Sequence, residues 1–176
     1  MQIVGLQKVP VGQFDEVMQL LAIGEENRAY RATKIHEHSS RSHTIFRIHV
    51  RTVLNEHESL NSVINLVDLA GSERLSELGL SKQESASETA HINKSLFTLS
   101  HVISKLAENS NGSSSTKSKH LSHIPYRDSK LTRILQNSLG GNALTAIICT
   151  ISPASLNFFQ TLSTLKFASR AQIVTN

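Results

Sequence analysis

Residues 63–71 read Val63-Ile64-Asn65-Leu66-Val67-Asp68-Leu69-Ala70-Gly71. The first five are mostly apolar, and together they predict a short buried strand. A carboxylate fixed at the end of such a strand can hold Mg²⁺ directly or through water. A glycine three residues later can bring its N–H to the terminal phosphate of a nucleotide, because no side chain intervenes. Asp and Gly also commonly end strands in plain turns. Taken alone, the four residues Asp68-Leu69-Ala70-Gly71 therefore favour an ordinary turn.

Hydrophobic periodicity predicts helices and strands that alternate around this segment. An i, i+3, i+4, i+7 apolar pattern predicts a helix over residues 14–23, and strict alternation predicts a half-buried strand over 44–53. The remaining assignments are a hairpin connection at 55–61, helices over 91–108, 129–137 and 161–173, and a buried strand over 145–151. Interleaved strands and helices predict an α/β or mixed class with a central sheet.

Composition favours one soluble, intracellular globular domain. The chain has 176 residues, 39% hydrophobic and 18% charged, which argues against wholesale disorder. Its single cysteine, Cys149, excludes an internal disulfide or a multi-cysteine zinc site. The start of the sequence has no secretory pattern, and the longest apolar run is far shorter than the roughly 20 residues of a membrane helix.

The net charge of +4 is concentrated in one window, residues 117–133. Asp128 is the only acid there, against five basic residues: Lys117, Lys119, Arg127, Lys130 and Arg133. A basic patch on an otherwise neutral chain favours docking to an acidic partner, which leaves nucleic acid, anionic lipid and an acidic protein surface open. A solvated loop and helix face is equally compatible with charge alone.

A second polar motif, Ser39-Ser40-Arg41-Ser42-His43, directly precedes the strand predicted at 44–53. Consecutive hydroxyls can bond phosphate oxygens, an attacking water or Mg²⁺, and arginine pairs with carboxylate or phosphate. Glu73, just after the predicted turn, is a candidate partner for Arg41. A polar turn with serine caps remains the simpler interpretation of the serines by themselves.

These motifs, together with three further ones, resemble the kinesin motor domain in the same order along nearly the whole chain. The further motifs are Ile92-Asn93-Lys94-Ser95-Leu96, Pro125-Tyr126-Arg127-Asp128-Ser129-Lys130-Leu131-Thr132-Arg133-Ile134-Leu135 and Asn137-Ser138-Leu139-Gly140-Gly141-Asn142. The resemblance implies a partial kinesin-type P-loop NTPase motor core of the α/β class, with a central, mostly buried sheet flanked by helices. The chain looks most like plant or centromere-associated kinesins at His123-Ile124-Pro125-Tyr126 and at Ala168-Ser169-Arg170-Ala171.

The resemblance also implies where functional residues lie. Residues 1–176 would be one partial motor domain, with a first switch at about 33–43, a second at about 68–90 and a microtubule-binding region at about 91–137. Implied catalytic residues are Ser39, Ser40, Arg41 and Glu73. Nucleotide-binding residues are Ser40, Asp68, Gly71 and Asn93, with Ser40 and Asp68 also serving Mg²⁺, the latter through water. Microtubule-binding residues are Lys94, Tyr126, Arg127 and Lys130.

In a complete domain these parts would couple hydrolysis of Mg-ATP to movement along microtubules, in the cytoplasm and on the cytoskeleton. The implied cofactors are ATP and Mg²⁺, and the implied partner is tubulin. Nucleic acid is not expected because the basic window has no aromatic residue beyond Tyr126, and no membrane partner is expected.

One departure from the family limits that expectation. The chain contains no G-x-x-x-x-G-K-[ST] run, the loop that cradles phosphates in these enzymes. We therefore expect the isolated chain to bind ATP poorly and to hydrolyse it negligibly. The alternative to a motor is a truncated kinesin-like protein that binds microtubules without ATPase activity.

Overall fold

A computed structural model describes residues 3–28, 30–31, 39–40, 42–71, 86–111 and 123–175. Within these, residues 30–31, 39–40, 86–93 and 111 are described by their backbone alone. The chain divides into two compact units, one comprising Ile3–Ile92 and the other consisting mainly of Asn93–Asn176.

The first unit begins with helix α1 (Phe14–Glu26). The Glu16 carboxylate accepts the Gly12 and Gln13 N–H groups at 2.7 and 3.3 Å, which satisfies donors that the first helical turn leaves open. The helix predicted over residues 14–23 is confirmed, and Gly24 neither ends it nor prevents its extension to Glu26.

In the described part of this unit, two antiparallel strand pairs follow α1, and the unit also includes the first seven residues of the next helix. Strand β1 (Tyr30–Arg31) pairs with β2 (Ser39–Ser40), and β3 (Thr44–Val53) pairs with β4 (Ser59–Asp68). The β3–β4 ladder runs from Thr44 opposite Asp68 to Val53 opposite Ser59. Its connection is closed by the Leu54 N–H, which donates to the Glu58 C=O at 3.0 Å. The strand predicted over 44–53 and the polar hairpin connection are confirmed, but the predicted alternation of burial is not: the first five residues of β3 are partly buried and the last five are exposed.

Strand β4 forms where the run around residues 63–67 predicts it, but the prediction that it is buried is wrong. Val63, Ile64 and Leu66 are each about half exposed, at 48%, 49% and 56%. Burial of a strand requires a second layer over its face. The described sheet has only the two strands β3 and β4, and the described residues leave most of β4 uncovered.

The second unit is helical and contains the described core of the chain. Helix α2 (Ala86–Asn111) enters it at Asn93, and α3 (Lys130–Ile134) and α4 (Phe158–Ala171) follow. Short 3₁₀ turns, Tyr126–Asp128 and Gln136–Ser138, flank α3. The buried apolar residues of this unit are Leu99, Val102, Ile103, Ala107, Leu131, Leu135 and Leu139. The three helices predicted here are confirmed, each with shifted ends.

The buried strand predicted over residues 145–151 is wrong. The structure assigns no strand there, and Leu144 and Ile148 are almost completely exposed. An apolar run becomes a strand only when a neighbouring strand takes its N–H and C=O groups, and no described strand pairs with it. Within the described residues, no helix is both long and apolar enough to cross a membrane.

Candidate functional site

The turn at residues 68–71 is anchored at its first residue. Asp68 ends β4, opposite Thr44, and its Oδ2 accepts a hydrogen bond from the Arg28 Nη2 at 2.6 Å. The Arg28 side chain is only 10% exposed, whereas the Asp68 side chain is 67% exposed. The guanidinium follows the end of α1 and also lies 3.8 Å from Glu25. The predicted magnesium carboxylate is therefore accessible on one side and held by a largely buried cation on the other.

The same turn is anchored a second time at Ala70. The Ala70 N–H donates to the Nδ1 of His43 at 3.0 Å, and Ala70 is buried. Burial lowers the pKa of His43, which favours the neutral ring. The acceptor must be an unprotonated Nδ1, so the ring proton resides on Nε2. His43, which precedes β3, is thus joined to Ala70, which follows β4. The contact lies just beyond Thr44 and Asp68, the last pair of the ladder.

The serine motif is attached to the same end of that ladder. Ser39 and Ser40 form β2 opposite Arg31 and Tyr30. Ser40 precedes Thr44 by four residues, so their Cα atoms are no more than about 14 Å apart, and Thr44 is the Cα partner of Asp68. Chain connectivity thus keeps the serine segment within about 14 Å of the ladder end that carries Asp68, and a meeting of the two segments stays a prediction. Arg41 and Glu73 lie outside the described residues, so their pairing stays a prediction, as does the role of Asn93, whose backbone lies in α2.

The donor chemistry at this end fits Mg²⁺ that arrives with a nucleotide. Mg²⁺ takes six oxygen ligands and is usually held by one or two carboxylates together with phosphates and water. Asp68 supplies an accessible carboxylate and the serine motif supplies hydroxyls. No group of three His, Cys, Asp or Glu side chains that might hold a metal alone occurs among the residues described.

The described part of the basic window lies in the second unit and exposes its cations. Arg127, Lys130 and Arg133 are all exposed, and Lys94 is exposed on α2. Ser129 caps α3 by accepting the Leu131 N–H at 3.1 Å. Lys117 and Lys119 lie outside the described residues. Three exposed cations and one exposed carboxylate, Asp128, lie on residues 126–133, which we call the basic segment.

Tyr126 holds this segment in place rather than standing free. Its hydroxyl donates to the Leu139 C=O, and its own C=O accepts from the Thr132 Oγ1 at 2.8 Å. Burial raises the pKa of Tyr126, so the hydroxyl stays protonated and remains a donor at neutral pH. Thr132 is completely buried. Both ends of the tyrosine are thereby engaged inside the unit.

The sequence assigned no positioning role to three residues whose side chains bond these segments: Arg28, His43 and Thr132. Arg28 is 40 residues from Asp68, and no periodicity links them. His43 offered a signal, since a ring directly before a strand lies near the partner strand's end. Thr132 is polar at a position one turn from inward-facing Leu135, which indicates a satisfied hydroxyl inside the core.

The chain matches a known protein family over nearly its whole length. The family described as the kinesin motor domain matches residues 1–174. The chain belongs to the kinesin motor domain family. Among relatives, it is 48% identical to the rice kinesin-like protein KIN-7L over 98% of the chain and 26% of that protein. It is 49% identical to Dictyostelium discoideum kinesin-related protein 4 over 91% of the chain and 8% of that protein.

Solved kinesin structures agree with the fold. A KIF14 structure described as a dimer in a two-heads-bound state with AMP-PNP, in complex with a microtubule, matches at a TM-score of 0.86 and 42% identity. That match covers 98% of this kinesin chain and 47% of the KIF14 chain. The predicted α/β kinesin core is confirmed. The chain spans about a quarter or less of the curated relatives named above and about half of the solved one.

Proposed function

We propose that this kinesin chain binds microtubules through the basic segment and Lys94, and that residues 39–41 and 68–71 report the presence of a nucleotide phosphate to that surface. The observation that carries the proposal is the set of exposed cations on the basic segment, whose backbone is held by hydrogen bonds of Tyr126, Ser129 and Thr132. The microtubule surface is acidic, so cations on a backbone already held in place bind it without first losing much backbone freedom. The solved KIF14 relative is described as being in complex with a microtubule.

The nucleotide-facing part of the proposal assigns roles to the chain's own residues. Ser39 and Ser40 would position the attacking water, and Ser40 with Asp68 would hold Mg²⁺. Arg41 would pair with Glu73 when both segments close. Gly71 would offer its N–H to the terminal phosphate, and Asn93 would sense that closure at the start of the microtubule-facing part of α2. Bound Mg²⁺ would neutralise charge that develops on the phosphate oxygens.

In the complete motor, the activity would be ATP hydrolysis coupled to movement on microtubules in the cytoplasm. A second candidate is microtubule binding without ATP turnover. The 176 residues contain no G-x-x-x-x-G-K-[ST] run, and they span about a quarter or less of the curated relatives named above. Backbone N–H groups and a lysine from such a loop hold the phosphates in this enzyme class. Calorimetry of the full-length protein with Mg-ATP therefore separates the candidates, since tight Mg²⁺-dependent binding would exclude the second.

Co-sedimentation with microtubules tests the shared part of both candidates. We expect Arg127→Ala and Lys130→Ala each to weaken binding by about fivefold, or roughly 1 kcal/mol, because each removes one exposed cation. The affinity should also fall as salt rises, since exposed charges are screened within about 8 Å at physiological ionic strength.

Lys166→Ala is the matched control, because Lys166 is an exposed lysine on α4 of the same unit. It removes the same charge outside the basic segment and should leave binding nearly unchanged. If Lys166→Ala weakens binding as much as Lys130→Ala, general charge attraction rather than the basic segment accounts for binding. Retention of the chain on DNA equal to that on microtubules would also contradict the proposal.

A further inference from the structure

The contact between His43 and Ala70 extends the β3–β4 ladder by means of a side chain. Thr44 and Asp68 form the last pair of the ladder, so continuation would place Ser42 opposite Ala70. The Ala70 N–H instead donates to the His43 ring at 3.0 Å. The link therefore joins the residue just before β3, which is partly buried, to the buried residue two positions after β4.

The link lies one residue before Gly71, whose N–H is proposed to bind the terminal phosphate. Peptide planes are rigid, so the hydrogen bond at the Ala70 N–H fixes the plane that enters Ala70. Only the two backbone torsions of Ala70 then separate that plane from the one that carries the Gly71 N–H. On the other side, His43 lies three residues after Ser40, a reach of about 10 Å.

We propose that His43 is a positioning residue that links the serine segment at 39–41 to the turn at 68–71, so that displacement of either is passed to the other. This inference rests on the proposed function for the meaning of the two segments, but the link itself is a property of this chain. Arg28 holds the start of the turn through Asp68. His43 holds its third residue, and it alone of the two anchors is close in sequence to the serines.

Two substitutions separate the hydrogen bond from the bulk of the ring. In His43→Asn, the amide oxygen occupies nearly the place of Nδ1 and retains an acceptor. In His43→Gln, the amide reaches the distance of Nε2 instead, so the acceptor for Ala70 is lost while size is kept. Hydrogen–deuterium exchange of the 176-residue chain then reports on Ala70 and on the β2 amide, at Ser39 or Ser40, that the antiparallel β1–β2 pairing protects.

We expect exchange at Ala70 and at the protected β2 amide to be at least tenfold faster in His43→Gln than in the wild type, and near wild type in His43→Asn. Faster exchange at Ala70 alone would overturn the link, and so would unchanged exchange at Ala70. Amides of Phe46 and Ile48 in the middle of β3 are the reference. If they also lose protection in His43→Gln, the residue is merely structural and the proposal fails.

Microtubule co-sedimentation of the same variants keeps this inference distinct from the proposed function. Failure of the wild-type chain to bind microtubules would refute the proposed function and leave the exchange result standing. Conversely, normal microtubule binding with no change in exchange at Ala70 would refute the role of His43 alone.

Discussion

Replacement of Thr132 by valine tests how the basic segment is held in place. Thr132 is completely buried, and its Oγ1 lies 2.8 Å from the Tyr126 C=O and 3.1 Å from the Ser129 C=O. The Ser129 C=O also accepts the Arg133 N–H at 3.1 Å. The Tyr126 C=O is therefore the acceptor that depends most on the hydroxyl.

The magnitude follows from this geometry. Valine keeps the shape of threonine but removes the donor, and a buried acceptor that loses its partner costs about 1–3 kcal/mol. Thr132→Ser keeps the donor and deletes one methyl group, which costs about 1 kcal/mol. We expect Thr132→Val to lower the free energy of unfolding of the second unit by about 2 kcal/mol, more than Thr132→Ser does.

Urea unfolding followed by tyrosine fluorescence measures this difference. The chain has no tryptophan and two tyrosines, so a Tyr30→Phe background leaves Tyr126 as the reporter. Microtubule co-sedimentation of the same variants should show a weaker affinity for Thr132→Val, because the 3₁₀ turn that carries Arg127 loses its hydrogen bond from Thr132. A larger loss of stability in Thr132→Ser than in Thr132→Val would refute the reasoning, since packing of the methyl group would then outweigh the hydrogen bond.

Two further predictions concern stability. Gly140 has φ +75°, and a Cβ there would lie 2.6 Å from the Leu106 Cδ2, so Gly140→Ala should destabilise the chain by about 2 kcal/mol in urea unfolding. Gly24→Ala, in α1 and with open space around its Cβ, should instead stabilise it by about 1 kcal/mol; equal effects would contradict the role of φ at Gly140. Burial lowers the pKa of His43 below its usual 6.5 in the folded chain, so the unfolded chain binds a proton more readily. Stability from His43 is therefore complete above about pH 6.5 and declines as the pH falls toward the folded pKa. The urea midpoint should fall between pH 7.5 and 5.5 in the wild type and fall less in His43→Asn, and identical slopes would exclude His43 as the cause.

Local patterns predicted the elements whose stability comes from near neighbours. Strict alternation in residues 44–53 predicted β3 with its observed ends, because a hairpin partner follows directly in sequence. In the helix predicted over 91–108, the apolar residues Leu99, Val102 and Ile103 recur at helical spacing, and all three are buried. These signals are reliable because side-chain direction follows backbone period.

Strands and contacts that depend on partners distant in the sequence could not be predicted from it. Residues 145–151 are apolar and rich in β-formers, yet they form no strand, because pairing requires a neighbour that composition cannot provide. The same limit applies to the site. The carboxylate at Asp68 was predictable from its motif, whereas its partner Arg28 was not, since a contact across 40 residues is determined by the packed fold.

The uncovered edge of β4 has a consequence for handling the isolated chain. Among the described strands β4 pairs only with β3, and it carries half-exposed Val63, Ile64 and Leu66. A strand of this kind is a template on which other copies can add edge to edge. We therefore expect the isolated chain to self-associate as its concentration rises.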